Sequence, residues 1–315
     1  MAFTMDPQIK LVLDQIAGLT GGPPRTMPVA DARKGLDQVV DLLRSGGVEE
    51  VARAENRKIP GPAGEIPLRV FVPKSGSPCG ALVYLHGGGW VLGGLHSHDN
   101  ICRAFANAAG CLVVAVDYRL APENKFPAAP EDCYAATAWV AGNAAALGYP
   151  EGRVAVGGDS AGGNLTAVVS MMARDRKGPK LRFQLLIYPA TDVAMDTPSY
   201  RDFQDDGYFL SGADMIWFWN HYLARKEDGD NPYASPARAK DLSGLPPAFV
   251  ITAGLDPLRD EGEAYARRLI EAGVPTLCAR YEYVTHAVFN MAPLVDAGKT
   301  ITRQAAAAVR EALMK

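Results

Sequence analysis

Gly157-Gly-Asp-Ser-Ala-Gly-Gly163 follows the short apolar run Arg153-Val-Ala-Val156 and precedes a stretch with helical character. Its core, Gly158-x-Ser160-x-Gly162, fits a sharp strand-to-helix turn that holds a serine in a strained, exposed position. Glycines on both sides let neighbouring backbone pass the turn without meeting a Cβ. The helix that follows would bring unpaired N–H groups close to the seryl oxygen, an arrangement suited to a developing negative charge. A phosphate-binding reading fails, because the segment has neither the Lys-Ser/Thr ending of a P-loop nor the G-x-G-x-x-G spacing of a dinucleotide site. Three small residues recur by chance in a chain with 32 glycines, so the motif gains weight only from what accompanies it.

The bulk properties of the chain are those expected of an ordinary soluble globular protein. Its 315 residues suffice for one large α/β domain or a domain with an insertion, and 48% hydrophobic with 21% charged residues is ordinary globular composition. A net charge of −3 and the lack of a basic tract give no long-range attraction to nucleic acid or anionic lipid, so neither is an expected partner. No apolar run approaches the roughly 18 residues needed to cross a bilayer. Residues 1–10 lack a basic segment followed by an apolar one, which makes a cytoplasmic location the expectation. Cys79, Cys102, Cys111, Cys133 and Cys278 are scattered without a C-x-x-C pair; they read as buried or idle thiols, with no metal site expected.

Short β-branched or apolar runs alternate with amphipathic stretches. Strands are expected at Leu68–Val72, Ala81–Leu85, Leu112–Asp117, Arg153–Val156, Phe183–Tyr188, Ala248–Ala253 and Thr276–Tyr281, and helices at Asn100–Ala109, Ala128–Leu147, Asn164–Lys177 and Asp260–Ala272. Such alternation predicts an α/β fold with a mostly parallel sheet covered on both faces, whose chemistry lies at the carboxyl ends of the strands. Two segments break the pattern: residues 1–50, helical and interrupted at Gly21-Gly-Pro-Pro24, and residues 190–235, crowded with aromatics such as Tyr200, Trp217 and Trp219. The second, as an insertion leaving the sheet, is expected to lie over the strand ends as a lid that shapes an apolar pocket. Residues 51–189 and 236–315 then form the two parts of the core.

Upstream of the serine, His86-Gly-Gly-Gly-Trp90 follows a strand. Three consecutive glycines cost backbone entropy, which a loop exposing N–H groups to an oxyanion explains better than chance. The expected donors are Gly88, Gly89 and Ala161, supported by Gly87 and His86. Ser160 needs a base, and of His86, His96, His98, His221 and His286 only the last follows a late strand in the order serine, acid, histidine. The acid expected at a strand end between them is Asp256, with Asp192 as a conceivable substitute; Asp260, Glu261 and Glu263 are expected to face outward or pair with Arg259, Arg267 or Arg268. Each part is chemically required. A serine hydroxyl is too weak an acid to ionise near neutrality, so the imidazole takes its proton while the carboxylate fixes the tautomer.

Together these motifs resemble the bacterial hormone-sensitive-lipase family (family IV) of esterases, within the α/β-hydrolase fold. The resemblance rests on His86-Gly-Gly-Gly-Trp90, Asp117-Tyr-Arg-Leu-Ala-Pro-Glu123, Gly158-Asp-Ser-Ala-Gly-Gly-Asn164, Trp217-Phe-Trp-Asn-His-Tyr-Leu223, Asn231-Pro-Tyr-Ala-Ser-Pro236 and Asp256-Pro-Leu-Arg-Asp-Glu-Gly262. It implies a carboxylesterase for short- to medium-chain acyl esters, with a small-molecule ester as partner, no metal or organic cofactor, a helical cap built from residues 1–50 and the 190–235 insertion, and a possible homodimer. It also implies scaffold ion-pair roles for Arg119 and Glu123. An amidase or deacetylase would use the same triad, and a small-ligand receptor on this fold would be expected to lack the base. One departure stands out: Tyr283-Val-Thr-His286-Ala-Val-Phe289 has Ala287 and Val288 where such esterases carry a glycine and an aromatic beside the histidine. Alanine takes a positive φ less cheaply than glycine, so an altered loop is expected there.

Overall fold

Apolar runs too short for helices set the frame. In the computed structural model, which describes residues 4–315, such runs make the centre of an eight-stranded sheet: β1 Arg53–Gly61, β2 Gly64–Val72, β3 Ala81–Leu85, β4 Leu112–Val116, β5 Val154–Asp159, β6 Phe183–Ile187, β7 Ala248–Leu255 and β8 Thr276–Thr285. Their order in the sheet is β1-β2-β4-β3-β5-β6-β7-β8. The β1–β2 and β2–β4 pairings are antiparallel and all the others parallel. β3 explains why the centre reads as unbroken hydrophobic sequence: all five of its residues are buried. Leu82 and Tyr84 enter one core, while Ala81, Val83 and Leu85 enter the other. Each fully buried leucine of this kind contributes about 2 kcal/mol.

Among the described residues ten α-helices accompany the sheet: α1 Pro7–Thr20, α2 Val29–Arg44, α3 Asp99–Ala109, α4 Ala128–Gly142, α5 Ala144–Leu147, α6 Ala161–Asp175, α7 Pro198–Asp202, α8 Gly212–Tyr222, α9 Arg259–Glu271 and α10 Asp296–Met314. Phe105 of α3 and Ile301 and Val309 of α10 cover one face; Cys133 and Val140 of α4 with Leu165 and Val169 of α6 cover the opposite one. α9 closes that second face through Tyr265 and Leu269, packed on Leu186 and Val250.

The sheet departs from the sequence reading at its first edge. β1 was not expected, since Arg53-Ala-Glu-Asn-Arg-Lys-Ile-Pro-Gly61 is charged and only Ile59 is buried in it; it forms because it pairs with β2 at an exposed edge. β8 also runs four residues beyond the expected Tyr281, so His286 follows the strand directly rather than a loop. The stretch expected as one helix from Ala128 to Leu147 is two, broken at Asn143.

α1 begins at an Asp6 cap that accepts from Gln8 and Ile9 amides and ends at Gly21 in the left-handed conformation. Two arginines tie this N-terminal region down. Arg33 of α2 pairs with Glu123 and donates to the Val91 and Ala121 carbonyls; the pairing draws the Glu123 carboxyl below its usual range. Arg25 bridges Asp206 and Asp214, joining the segment between α1 and α2 to residues 206–214. Arg119 pairs with Asp132 through two hydrogen bonds of 2.8 Å.

Glu261 corrects another expectation. Rather than facing outward it is buried, and Oε1 accepts the Thr191 amide at 2.6 Å, which ties α9 to the chain leaving β6. Burial pushes its carboxyl well above the ordinary 4.5, although the Thr191 amide pulls the other way. Glu263 pairs with Arg280, not with Arg267 or Arg268, while Asp260 does pair with Arg259. The folded state thus keeps on Glu261 a proton that the unfolded chain releases above its ordinary pKa. Its contribution to stability is present at low pH and is lost as pH rises, by about 1.4 kcal/mol for each unit until the raised pKa is reached. Glu261→Gln is expected to unfold at a higher temperature than the parent at pH 8, with the gap shrinking toward pH 5. A gap that does not change with pH would mean that Glu261 is ionised in the fold.

Candidate active site

The turn after β5 is as sharp as its sequence suggests. β5 ends at Asp159 and α6 begins at Ala161, leaving Ser160 at φ 58°, ψ −120°, a region that costs a non-glycine residue on the order of 1–3 kcal/mol. A Cβ on either Gly158 or Gly162 would collide with the Leu85 carbonyl oxygen, so the close passage of β3 requires both glycines. The Ser160 amide donates to the Ile187 carbonyl at 2.8 Å, and the Asn164 amide to the Ser160 carbonyl at 3.0 Å, locking both sides of the turn.

Asp256 comes just after β7, where a bulge between Ala253 and Leu255 ends the regular pairing with β8. His286 comes just after β8. These two and Ser160 meet in a single hydrogen-bonded line. Ser160 Oγ lies 2.9 Å from His286 Nε2, and His286 Nδ1 lies 2.6 Å from Asp256 Oδ2. A carboxylate only accepts, so Nδ1 carries the proton and Nε2 is free to take one from the serine. Asp256 is fully buried and its other oxygen accepts the Leu258 amide at 2.9 Å, which fixes the carboxylate plane. Tyr188 packs on the imidazole with ring centres 4.4 Å apart. Ala287 adopts φ 63°, so this chain takes the left-handed conformation without the glycine; Asn290 and Met291 amides donate to its carbonyl and hold the turn.

The glycine loop leaves β3 with Gly88 at φ 115° and Gly89 at φ 59°. Among the described residues the amides of Gly88 and Gly89 donate to no protein group, while the Gly88 carbonyl accepts from Val91 and Leu92. His86 Nδ1 donates to the Gly87 carbonyl at 2.7 Å and its ring stacks on Tyr118. Burial, reinforced by His98 nearby, lowers its pKa to about 3, so His86 is a neutral strut.

The remaining candidates separate cleanly. Asp192 is engaged with Arg238 at 2.8 Å, His96 is an exposed neighbour of Asp41, and His221 bonds the Trp217 carbonyl within α8. None of these approaches the serine line. Two contributors were not assigned from sequence. Asn164 donates to the Ala190 and Ala234 carbonyls at 2.9 and 2.8 Å, fastening the loop after β6 and the 231–235 turn to the helix that carries Ser160. His98 is the other, held against Asp159. Asn164 was visible in its motif but silent about role, and His98 looked like one polar residue among several in a loop.

Gly88, Gly89, Ser160 and His286 line a cavity of about 420 Å³. Its walls are mostly apolar and draw on both irregular segments, through Leu13 of α1, Leu36 and Val39 of α2, and Phe209, Leu210 and Phe218, while Ser97, His98 and Asp159 are among its polar lining. The arrangement presents a nucleophile, a base with its orienting acid, and free amide donors at one end of an apolar chamber.

Residues 82–290 match the family model described as the alpha/beta hydrolase fold. The chain belongs to that family, in its hormone-sensitive-lipase-like branch, and is a carboxylic ester hydrolase. It is 41% identical to the carboxylic ester hydrolase LipN of Mycobacterium tuberculosis, over 99% of this chain and 84% of that protein. It is 34% identical to an ethyl acetate hydrolase of Pseudomonas putida, over 93% of this chain and 94% of that one. Among solved structures it superposes on a hyperthermophilic esterase from Pyrobaculum calidifontis with a TM-score of 0.91 and 43% identity, over 98% of this chain and 99% of the other. Among the described residues no helix is long and apolar enough to cross a membrane, and no group of three potential metal-ligating side chains occurs.

Proposed function

We propose that the chain hydrolyses short- to medium-chain acyl esters through an acyl-enzyme on Ser160, beneath a cap built from residues 1–50 and 190–235 over a core of 51–189 and 236–315. The supporting observation is the line Ser160–His286–Asp256, with hydrogen bonds of 2.9 and 2.6 Å, opening on an apolar cavity of about 420 Å³. Ser160 Oγ attacks the ester carbonyl while its proton passes to His286 Nε2. The resulting imidazolium is stabilised by Asp256, and the oxyanion by the amides of Gly88, Gly89 and Ala161. Collapse of the tetrahedral species breaks the bond to the alkoxy oxygen, which leaves as the alcohol with the proton from His286. Water repeats the sequence on the acyl-enzyme: it loses a proton to His286, releases the acid and returns the proton to Ser160. A chamber of this size and apolarity suits an acyl chain of modest length, since pockets of roughly 300–1,000 Å³ accommodate small organic ligands.

A series of p-nitrophenyl esters from acetyl to palmitoyl tests the proposal. The rate is expected to peak at short or medium chains. A rate that keeps rising to palmitoyl would overturn the chain-length part.

A further inference from the structure

Asp159 ends β5 and stands beside Ser160, yet it makes no hydrogen bond to Ser160 or His286. Its Oδ1 accepts from the Tyr84 hydroxyl at 2.9 Å and the Gly87 amide at 3.2 Å. Both carboxylate oxygens lie within 3.2 Å of His98 Nε2, which also stands 3.2 Å from the Gly87 nitrogen; a carboxylate only accepts, so Nε2–H donates to Asp159 and the Gly87 N–H is directed to the same carboxylate. Asp159 is 3% exposed and His98 5%. Burying a carboxylate this deeply is costly unless it is paired and hydrogen-bonded; burial raises the Asp159 carboxyl, but His98, the Tyr84 hydroxyl and nearby His286 together outweigh it and leave the carboxyl below its usual range. The carboxylate is wedged under the glycine loop: a Cβ on Gly87 would stand 2.5 Å from Asp159 Oδ2. At its far side, His98 Nδ1 meets Ser97 Oγ at 2.8 Å, and Ser97 bridges the Gly94 amide and carbonyl at 3.0 Å each. The imidazole therefore couples three pieces of backbone: the end of β5 before the serine, the loop at 86–89 and the loop at 94–98.

We propose that His98 is a positioning residue for ester hydrolysis: acting through Asp159, it holds the Gly87 peptide so that the Gly88 and Gly89 amides face the oxyanion. This rests on the reading of Ser160 and the glycine loop given above. Oxyanion donors act at about 2.7–3.1 Å from the developing charge. Without the imidazole, the carboxylate keeps only Tyr84 and Gly87, and the 94–98 loop loses its tie to it. Hydrogen bonds to an oxyanion strengthen as the carbonyl becomes tetrahedral, so the loss falls on kcat rather than KM.

The test compares His98→Ala and His98→Gln with the parent and Ser160→Ala, counting active sites by nitrophenolate release from ethyl p-nitrophenyl methylphosphonate. That reagent forms an Oγ–P bond, expels p-nitrophenolate and places a tetrahedral phosphorus with its oxygen in the oxyanion hole. A misplacement near 1 Å costs about 100-fold, so His98→Ala is expected to lose on the order of 10- to 100-fold in kcat per titrated site. KM should stay close to the parent value and phosphonylation should slow in parallel. His98→Gln, whose amide still donates to Asp159, is expected to recover most of that loss while remaining measurably slower than the parent. Should His98→Ala fail to fold, His98→Gln alone decides. Parent-like kcat and phosphonylation per titrated site in the soluble variants, with only melting temperature or active fraction reduced, would overturn the proposal in favour of a purely structural role. Turnover surviving in Ser160→Ala would instead overturn the reading of the site on which it rests.

Discussion

Ser160→Ala is expected to lower kcat on p-nitrophenyl butyrate by about a million-fold, the scale seen when a hydrolase of this chemistry loses its nucleophile. The Oγ atom has one hydrogen-bond partner, His286 Nε2, so its removal takes away the attacking atom and leaves the surrounding bonds in place. Ala161 and the glycine loop keep their backbone positions, because these are fixed by main-chain bonds and by the collision that Gly158 and Gly162 avoid with Leu85. KM should therefore change little and the melting temperature should not fall. The strained backbone at position 160 is equally available to alanine, which makes a neutral or slightly positive effect on stability the expected one. A variant retaining more than about a thousandth of parent kcat would place the nucleophile elsewhere.

Asp256→Asn is expected to cost about 10,000-fold in kcat, by reversing a tautomer rather than by removing a contact. Asp256 Oδ1 accepts the Leu258 amide at 2.9 Å, so an asparagine there keeps its carbonyl oxygen on that amide and turns its NH2 toward His286 Nδ1. A donor at that position makes Nδ1 the acceptor and moves the ring proton to Nε2. The nitrogen 2.9 Å from Ser160 Oγ then has no lone pair for the serine proton. Steady-state kinetics measures the loss, and nitrogen NMR of the imidazole reports the proton on Nε2. A loss under tenfold, or a proton still on Nδ1, would remove Asp256 from the orienting role.

Much of this site can be read before any coordinates, for physical reasons that also mark where reading stops. Strands such as Leu82-Val-Tyr-Leu85 are buried on both faces, and their composition says so without ambiguity. Gly158 and Gly162 stand out because a close backbone crossing tolerates no other residue, and that constraint is local. β1 was hidden because an exposed edge strand is charged and has no periodic apolar face; only pairing with β2 makes it a strand. Glu261 was misread because a glutamate in the first turn of a helix suits solvent, and nothing local announces that the Thr191 amide arrives there. The contact between His98 and Asp159 spans 61 positions of sequence and depends on how two loops fold over the end of β5. Such pairings are tertiary facts, and one chain read alone carries no signal for them.

The most direct test is peptide mapping by mass spectrometry after reaction with ethyl p-nitrophenyl methylphosphonate. The account predicts one phosphonyl group per chain, on the peptide containing Gly157-Gly-Asp-Ser160-Ala-Gly-Gly163, with esterase activity lost in proportion to labelling. Full inactivation with the label on another residue, or activity that survives complete labelling of Ser160, would contradict it.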